Sequence, residues 1–374
     1  MTCALSAMIA CGAARGGEPA AEAERPPEIT WQVIVPDRPR FTAALGKGEA
    51  MWIPPSERLW ITRRVDGKPD ATGLLKPGAR FRAAGGADGG RHGDSFVMRS
   101  PQKPGAYVLD WNGKRAFDLL VLTAAKMVST KTRQGQKLTV TMGRRTVGVY
   151  PDPTAAESER VRDSAGRYLP PLWFFAFDAR TQAVALSEHL KAGDMVGFVG
   201  RGLAEKRRGK RHVWYFPPSR DLVRKLEATV DVLEAKGCKL GGGLVITSGF
   251  RTPAHNRKSG GSGFSRHCYG DAADVIIDRS PLDGRMDDLN GDGRIDANDG
   301  LVIANAAREA VLAGKAIPGG IGVYEYSDSK SVGCHVHIDA RGYVTRWGTT
   351  YKTGRAKELR WWPEWEFPEE DEDK

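Results

Sequence analysis

Residues 334–340, CHVHIDA, set the tightest constraint on how this chain can fold. Side chains along a β-strand alternate between its two faces. Read as a strand, the stretch sends Val336 and Ile338 one way and His335, His337 and Asp339 the other. The apolar pair asks for a core, and the polar trio asks for a cleft. Such a strand fits a sheet packed on one side and open on the other. Neutral imidazoles and a carboxylate on one face suit a borderline-soft cation such as zinc. A hydrogen-bonded core histidine is the other reading of the same pattern.

A second stretch, SRHCYGDAAD at 265–274, supplies what such a centre lacks. Catalytic zinc takes three protein ligands and keeps a further position open. His267 and Asp274 complete that set. Gly270 permits a turn or a close approach. Ala272 and Ala273 leave the metal uncrowded, and Asp274 opens the apolar run DVIID.

The surrounding pattern is mixed. Leu222, Leu226, Val230 and Leu233 recur at helical spacing between positions 219 and 235, and Gly237 follows as a stop. An Ala-rich helical period covers 301–313, and GLVITSGF, DVIID, GIGVYEY and CHVHIDA read as strands. The expected class is α+β, with a mostly antiparallel sheet and a packed helix.

In order along the chain, these pieces resemble the zinc D-Ala-D-Ala carboxypeptidase family, whose metal site is shared with Hedgehog signalling domains. SRHCYGDAAD fits its S-x-H-x-x-G-x-A-x-D pattern. SGFRTP at 248–253, followed by Asn256, is similar to its S-G-[YF]-R segment. GIGVYEY and HVHIDARGYVTRW resemble its G-x-G-x-Y strand and closing H-x-D-x-R-G segment. The resemblance covers roughly 220–348. It implies a Hedgehog-like zinc fold, with His267, Asp274 and His337 as zinc ligands. It also implies Arg251 as the holder of a substrate carboxylate and Ser265 as a positioning group. Many relatives place a glutamate shortly before the last ligand, but here Cys334 stands three residues before His337. Other relatives have an H-x-H pair, which His335 matches. His335 is therefore the candidate base toward the water that zinc activates, with Asp339 and Glu325 behind it. The implied activity is hydrolysis of peptide bonds in peptidoglycan, by a D-Ala-D-Ala carboxypeptidase or a D,D- or L,D-endopeptidase. A non-catalytic wall-binding module on the same zinc fold is the alternative.

Residues 288–299, DLNGDGRIDAND, fit a calcium-loop spacing. Asp288, Asn290, Asp292, Asp296 and Asp299 are the candidate side-chain ligands, and Arg294 would give its carbonyl. Asp at the twelfth position, in place of Glu, resembles dockerin-type loops. A structural Ca²⁺ is the expectation. Cys268 and Cys334 flank the histidines and could pair as a brace in an oxidising compartment.

The rest of the chain organises around this. Residues 1–28 read as an export segment and linker, and Met8 to Cys11 resembles a lipobox that would anchor the protein through a lipidated Cys11. Short strand-like runs punctuated by Gly and Pro over 29–128 suggest an all-β, immunoglobulin-like sandwich. Residues 129–218 read as a β-rich segment wrapping the catalytic domain, 219–362 as that domain, and 363–374 as an acidic tail. The expected location is periplasmic, outer-membrane or extracellular. The net charge of +10 favours anionic partners. KRRGKR at 206–211 is a basic run without interleaved aromatics, so nucleic acid is not an expected partner.

Overall fold

The computed structural model describes residues between 29 and 358, with breaks that include 35–42, 78–89, 132–136, 198–202 and 326–332. The expected lipobox at Cys11 and the acidic tail lie outside the described residues. No helix among those described is long and apolar enough to cross a membrane.

Ten strands open the chain: β1 (Ile29–Ile34), β2 (Ala43–Leu45), β3 (Ala50–Ile53), β4 (Arg58–Val65), β5 (Lys68–Pro69), β6 (Leu75–Pro77), β7 (Gly90–His92), β8 (Ser95–Arg99), β9 (Gly105–Trp111) and β10 (Lys114–Val121). They form two sheets, ordered β2-β1-β4-β8-β7 with β5 beside β4, and β3-β10-β9-β6. Alternate residues of β1, Trp31 and Val33, bury into the same core as Met51, Ile53, Leu119 and Val121 of the other sheet. Trp31 meets Phe117 at 5.8 Å between ring centroids. Two packed sheets follow from this burial; the immunoglobulin-like topology stays an expectation.

A third sheet begins earlier than the chain's composition suggests. Strand β11 (Ala124–Lys131) straddles the expected boundary at 128, yet it pairs with β12 (Lys137–Met142) and β14 (Trp173–Phe177). With β13 (Arg145–Pro151), β15 (Leu203–Arg207) and β16 (Arg211–Phe216) the order is β13-β12-β11-β14-β16-β15. A short helix, α1 (Glu159–Asp163), lies between β13 and β14. Val140, Tyr150, Tyr168, Phe174 and Tyr215 share a core with Phe250, Cys268 and Tyr269. Tyr150 donates its hydroxyl to the carbonyl of Cys268 at 3.0 Å. This sheet therefore packs against the segment that carries His267.

The last sheet is ordered β17-β18-β20-β19-β21-β22, from β17 (Leu244–Ser248), β18 (Ala272–Ile277), β19 (Gly320–Tyr324), β20 (His335–Asp339), β21 (Thr345–Lys352) and β22 (Arg355–Glu358). Its pairs are antiparallel except β19 with β21. Helix α2 (Arg220–Ala235) starts where the Ser219 hydroxyl accepts the amide of Leu222, and buries Leu222, Leu226, Val230 and Leu233. Helix α3 (Pro253–Lys258) is short; α4 (Ala297–Leu312) buries Leu301, Ile303, Ala304 and Ala307. Val336 and Ile338 bury completely in the core these helices share. That is the apolar face expected of CHVHIDA.

A side-chain clasp fastens the loop before the 3₁₀ turn at 194–196 to α2. Ser187 Oγ donates to Glu227 Oε2 at 2.7 Å, and His189 Nδ1 lies 2.7 Å from Glu227 Oε1. Burial works against the charged ring, but the hydrogen bond and charge of Glu227 prevail and raise the His189 pKa. A raised folded-state pKa adds stability that is full below the unfolded value, about 6.5, and fades as pH rises through the folded one. The side chain is 24% exposed, so the contribution is at most about 1 kcal/mol. His189→Gln is expected to flatten the decline in Tm between about pH 6 and 8. An unchanged pH profile of Tm would show that the clasp adds nothing.

Candidate metal centre

Two strands and a turn deliver the three candidate ligands. Asp274 and His337 face each other across the β18–β20 pair. His267 comes from a short 3₁₀ turn, residues 266–269, which ends at Gly270 with φ of 80°. That left-handed conformation is open to glycine and costly for others. A Cβ at Gly270 would also lie 2.0 Å from Pro217. The glycine of SRHCYG thus lets the chain reverse into β18 directly after the histidine.

The ligand atoms converge. His267 Nε2 lies 3.1 Å from Asp274 Oδ1 and 3.1 Å from His337 Nδ1, and His337 Nδ1 lies 3.0 Å from Asp274 Oδ1. Tetrahedral zinc with bonds of about 2.0–2.1 Å sets its ligands about 3.3 Å apart, close to this triangle. The outer nitrogens fix the tautomers. His267 Nδ1 is 2.8 Å from the carbonyl of Gly249, which only accepts, so Nδ1 carries the hydrogen. His337 Nε2 is 3.0 Å from Asp339 Oδ2 and donates to it. Two imidazole lone pairs and a carboxylate oxygen then face one another, an arrangement that calls for a cation between them. Among the described residues, this is the group of His, Cys, Asp and Glu side chains able to hold a metal ion.

Electrostatics agree with that role. Burial opposes charge on Asp274, but His267, His337 and Arg251 hold its carboxyl well below the usual range. Burial prevails at His267 and lowers its pKa; at His337 the hydrogen bonds to Asp274 and Asp339 overcome burial and raise it.

Asp339 anchors the site from behind. It is fully buried, and accepts from His337, from the amide of Gly320 at 2.8 Å and from Arg341 Nε at 2.9 Å. All its oxygens are engaged, so it orients His337 and is not placed to act as a base. A Cβ at Gly322 would lie 2.4 Å from the Trp347 ring, so the second glycine of GIGVY is what lets that indole cross β19 beside His337. The His337 and Trp347 centroids are 5.1 Å apart.

A cleft of about 700 Å³ opens on the centre. His267, Asp274 and His337 line it together with His335, Arg251 and Ser265. The His335 ring stacks on Tyr324 at 4.9 Å and 16°. Burial lowers its pKa, which keeps the imidazole neutral. Arg251 donates through Nε to Ser248 Oγ at 2.8 Å and through Nη2 to Asp274 Oδ2. Glu325 does not line the cleft. Arg341, Tyr324, Trp347 and Tyr168 do, and sequence reading did not single them out. Arg341 was detectable as the residue two beyond Asp339 on the same strand-like alternation.

One expectation changes here. Cys268 and Cys334 are free and buried, so they form no brace. Cys268 belongs to the aromatic core around Tyr150, whereas the Cys334 thiol donates to the carbonyl of Asp296 at 3.1 Å, under α4. The side-chain oxygens of the acidic loop also accept amides of its own backbone. Asp288 accepts the amides of Gly291 and Gly293, Asn290 that of Asp292, and Asp292 that of Arg294. Asp296 and Asp299 form the capping box of α4, and fully buried Asp299 also accepts the amide of Leu289. The calcium expectation for Asp288, Asn290, Asp292, Arg294, Asp296 and Asp299 finds no support in this arrangement.

No curated protein and no solved structure matches the chain. Residues 203–283, which include Arg251, Ser265, His267 and Asp274 and end before His335, match the family model described as Peptidase M15. Over those residues the chain is similar to the M15 peptidases, the zinc D-Ala-D-Ala carboxypeptidase-like family that its motifs resemble.

Proposed function

We propose that the chain is a zinc peptidase that hydrolyses peptide bonds in peptidoglycan stem peptides or cross-links, as a carboxypeptidase or an endopeptidase. The observation that carries this reading is the convergence of His267, Asp274 and His337 at the floor of a cleft that also holds Arg251 and a neutral His335. Zinc supplies a Lewis acid and lowers the pKa of water toward about 7. The chain's residues do the rest. Arg251, its Nε and Nη2 held by Ser248 and Asp274, offers its remaining guanidinium edge to a substrate carboxylate. Ser265 contributes a hydroxyl to the cleft wall that orients the substrate. His335, buried and uncharged, takes a proton from the attacking water and returns it to the leaving amine. The water oxygen bonds to the carbonyl carbon as the C–N bond breaks, without an acyl-enzyme. Export, and anchoring through a lipidated Cys11, complete the proposal, since the substrate lies outside the cytoplasm.

His335→Ala is expected to lower kcat on defined muropeptides by about 10²–10⁴-fold, with zinc content unchanged. Mass spectrometry of the products reads both the rate and the bond cut. An unchanged kcat would remove His335 from the chemistry.

A further inference from the structure

We propose that Arg160 forms a second anion subsite, which takes a substrate carboxylate other than the one held at Arg251. This inference rests on the peptidase reading of the cleft and deepens it by naming its substrates as peptides with a second carboxylate.

Four arginines line the cleft: Arg160, Arg251, Arg266 and Arg341. Three already face carboxylates, Arg251 on Asp274, Arg266 on Asp271 and Arg341 on Asp339. Arg160 is exposed and has no ion-pair partner among the described residues. Glu159 and Asp163 share its helix but do not line the cleft. Beside Arg160, the cleft is lined by Ser158, a second donor for a carboxylate oxygen.

The wall that carries Arg160 is fixed in place. Val161 is buried, and Arg162 Nη1 donates to the carbonyls of Ala156 and Glu157 at 2.8 and 2.7 Å. Tyr168 and Tyr343 join hydroxyls at 2.6 Å. A Cβ at Gly342 would lie 2.3 Å from Arg167 Cζ, so that guanidinium rests directly on the backbone after β20. Arg266 lies 4.4 Å from the Tyr168 ring centroid, and its buried Nη1 has no hydrogen-bond partner among the described residues. An exposed guanidinium and a hydroxyl, in a cleft that also holds a second arginine with an unused donor, suit an anion. Peptide substrates offer that anion as a carboxylate. Ser158 and Arg160 lie outside residues 203–283, so the subsite is an addition to the matched region.

The test uses two pentapeptides, L-Ala-γ-D-Glu-L-Lys-D-Ala-D-Ala and the same peptide with the glutamate α-carboxylate converted to a carboxamide. Wild-type protein is expected to favour the carboxylate form by about tenfold in kcat/KM, mainly through KM. Arg160→Gln is expected to lose that preference and use both peptides about equally. Equal use of both peptides by wild type, or a preference retained in Arg160→Gln, would overturn the subsite. If neither peptide is cleaved, the peptidase reading fails by itself. Calorimetric binding of the same pair then decides the subsite: a tenfold preference lost in Arg160→Gln supports it, and equal binding overturns it.

Discussion

Asp274→Asn is expected to leave a folded protein that retains no zinc at micromolar metal and cleaves muropeptides at least about 10³-fold more slowly than wild type. Asp274 Oδ1 is one corner of the triangle, 3.1 Å from His267 and 3.0 Å from His337. An amide oxygen is a far weaker ligand than a carboxylate, and losing the Lewis acid costs several kcal/mol of transition-state stabilisation. The substitution preserves volume. Its oxygen can still accept from Arg251, which is bonded to Asp274 Oδ2 in the parent. A wild-type Tm in the presence of chelator, combined with lost zinc and lost turnover, is the expected signature. Retained zinc in Asp274→Asn would remove Asp274 from the ligand set.

The second large effect falls on Asp339, which touches no substrate. Burial would raise its pKa, yet the hydrogen bonds from His337 and Arg341 hold the carboxyl well below the usual range. A depressed folded-state pKa adds stability above the unfolded value, near 3.9, that is lost as pH falls. Asp339→Asn places an amide donor against Arg341 Nη2 or against His337 Nε2–H, both of which already donate. Breaking a buried pair in this way costs about 3–5 kcal/mol. Loosening the far nitrogen of a ligating histidine weakens metal binding by about 10–100-fold. Chemical denaturation and chelator competition read the two effects separately. A change in stability without a change in zinc affinity would make Asp339 a purely structural residue.

The centre was legible in the sequence because its ligands sit on short-range patterns. Alternation along CHVHIDA put His337 opposite the core, and seven residues sufficed to carry His267 through one turn, closed by Gly270, into the strand of Asp274. What was not legible depends on contacts between distant segments. The third sheet claims 124–131 through pairing with 137–142 and 173–177, and no local change of composition marks that. Tyr168 and Arg160 reach the cleft from a segment about a hundred residues before His267. The acidic loop had calcium spacing, but spacing does not distinguish oxygens that gather around an ion from oxygens that cap a helix. Asp299 is buried, accepts three backbone amides and helps cap α4, a role the spacing did not reveal. Cys268 and Cys334 each adjoin a histidine, yet neighbours on a turn and on a strand can point into different cores, and these do.

The most direct test of a zinc peptidase centred on His267, Asp274 and His337 is metal analysis of the purified protein and of His337→Ala, run beside muropeptide cleavage with and without chelator. One zinc per wild-type chain, none in His337→Ala, and cleavage lost in the variant and under chelation is the result this account predicts. Cleavage by His337→Ala at the wild-type rate, or a wild-type protein that binds no zinc, would contradict it.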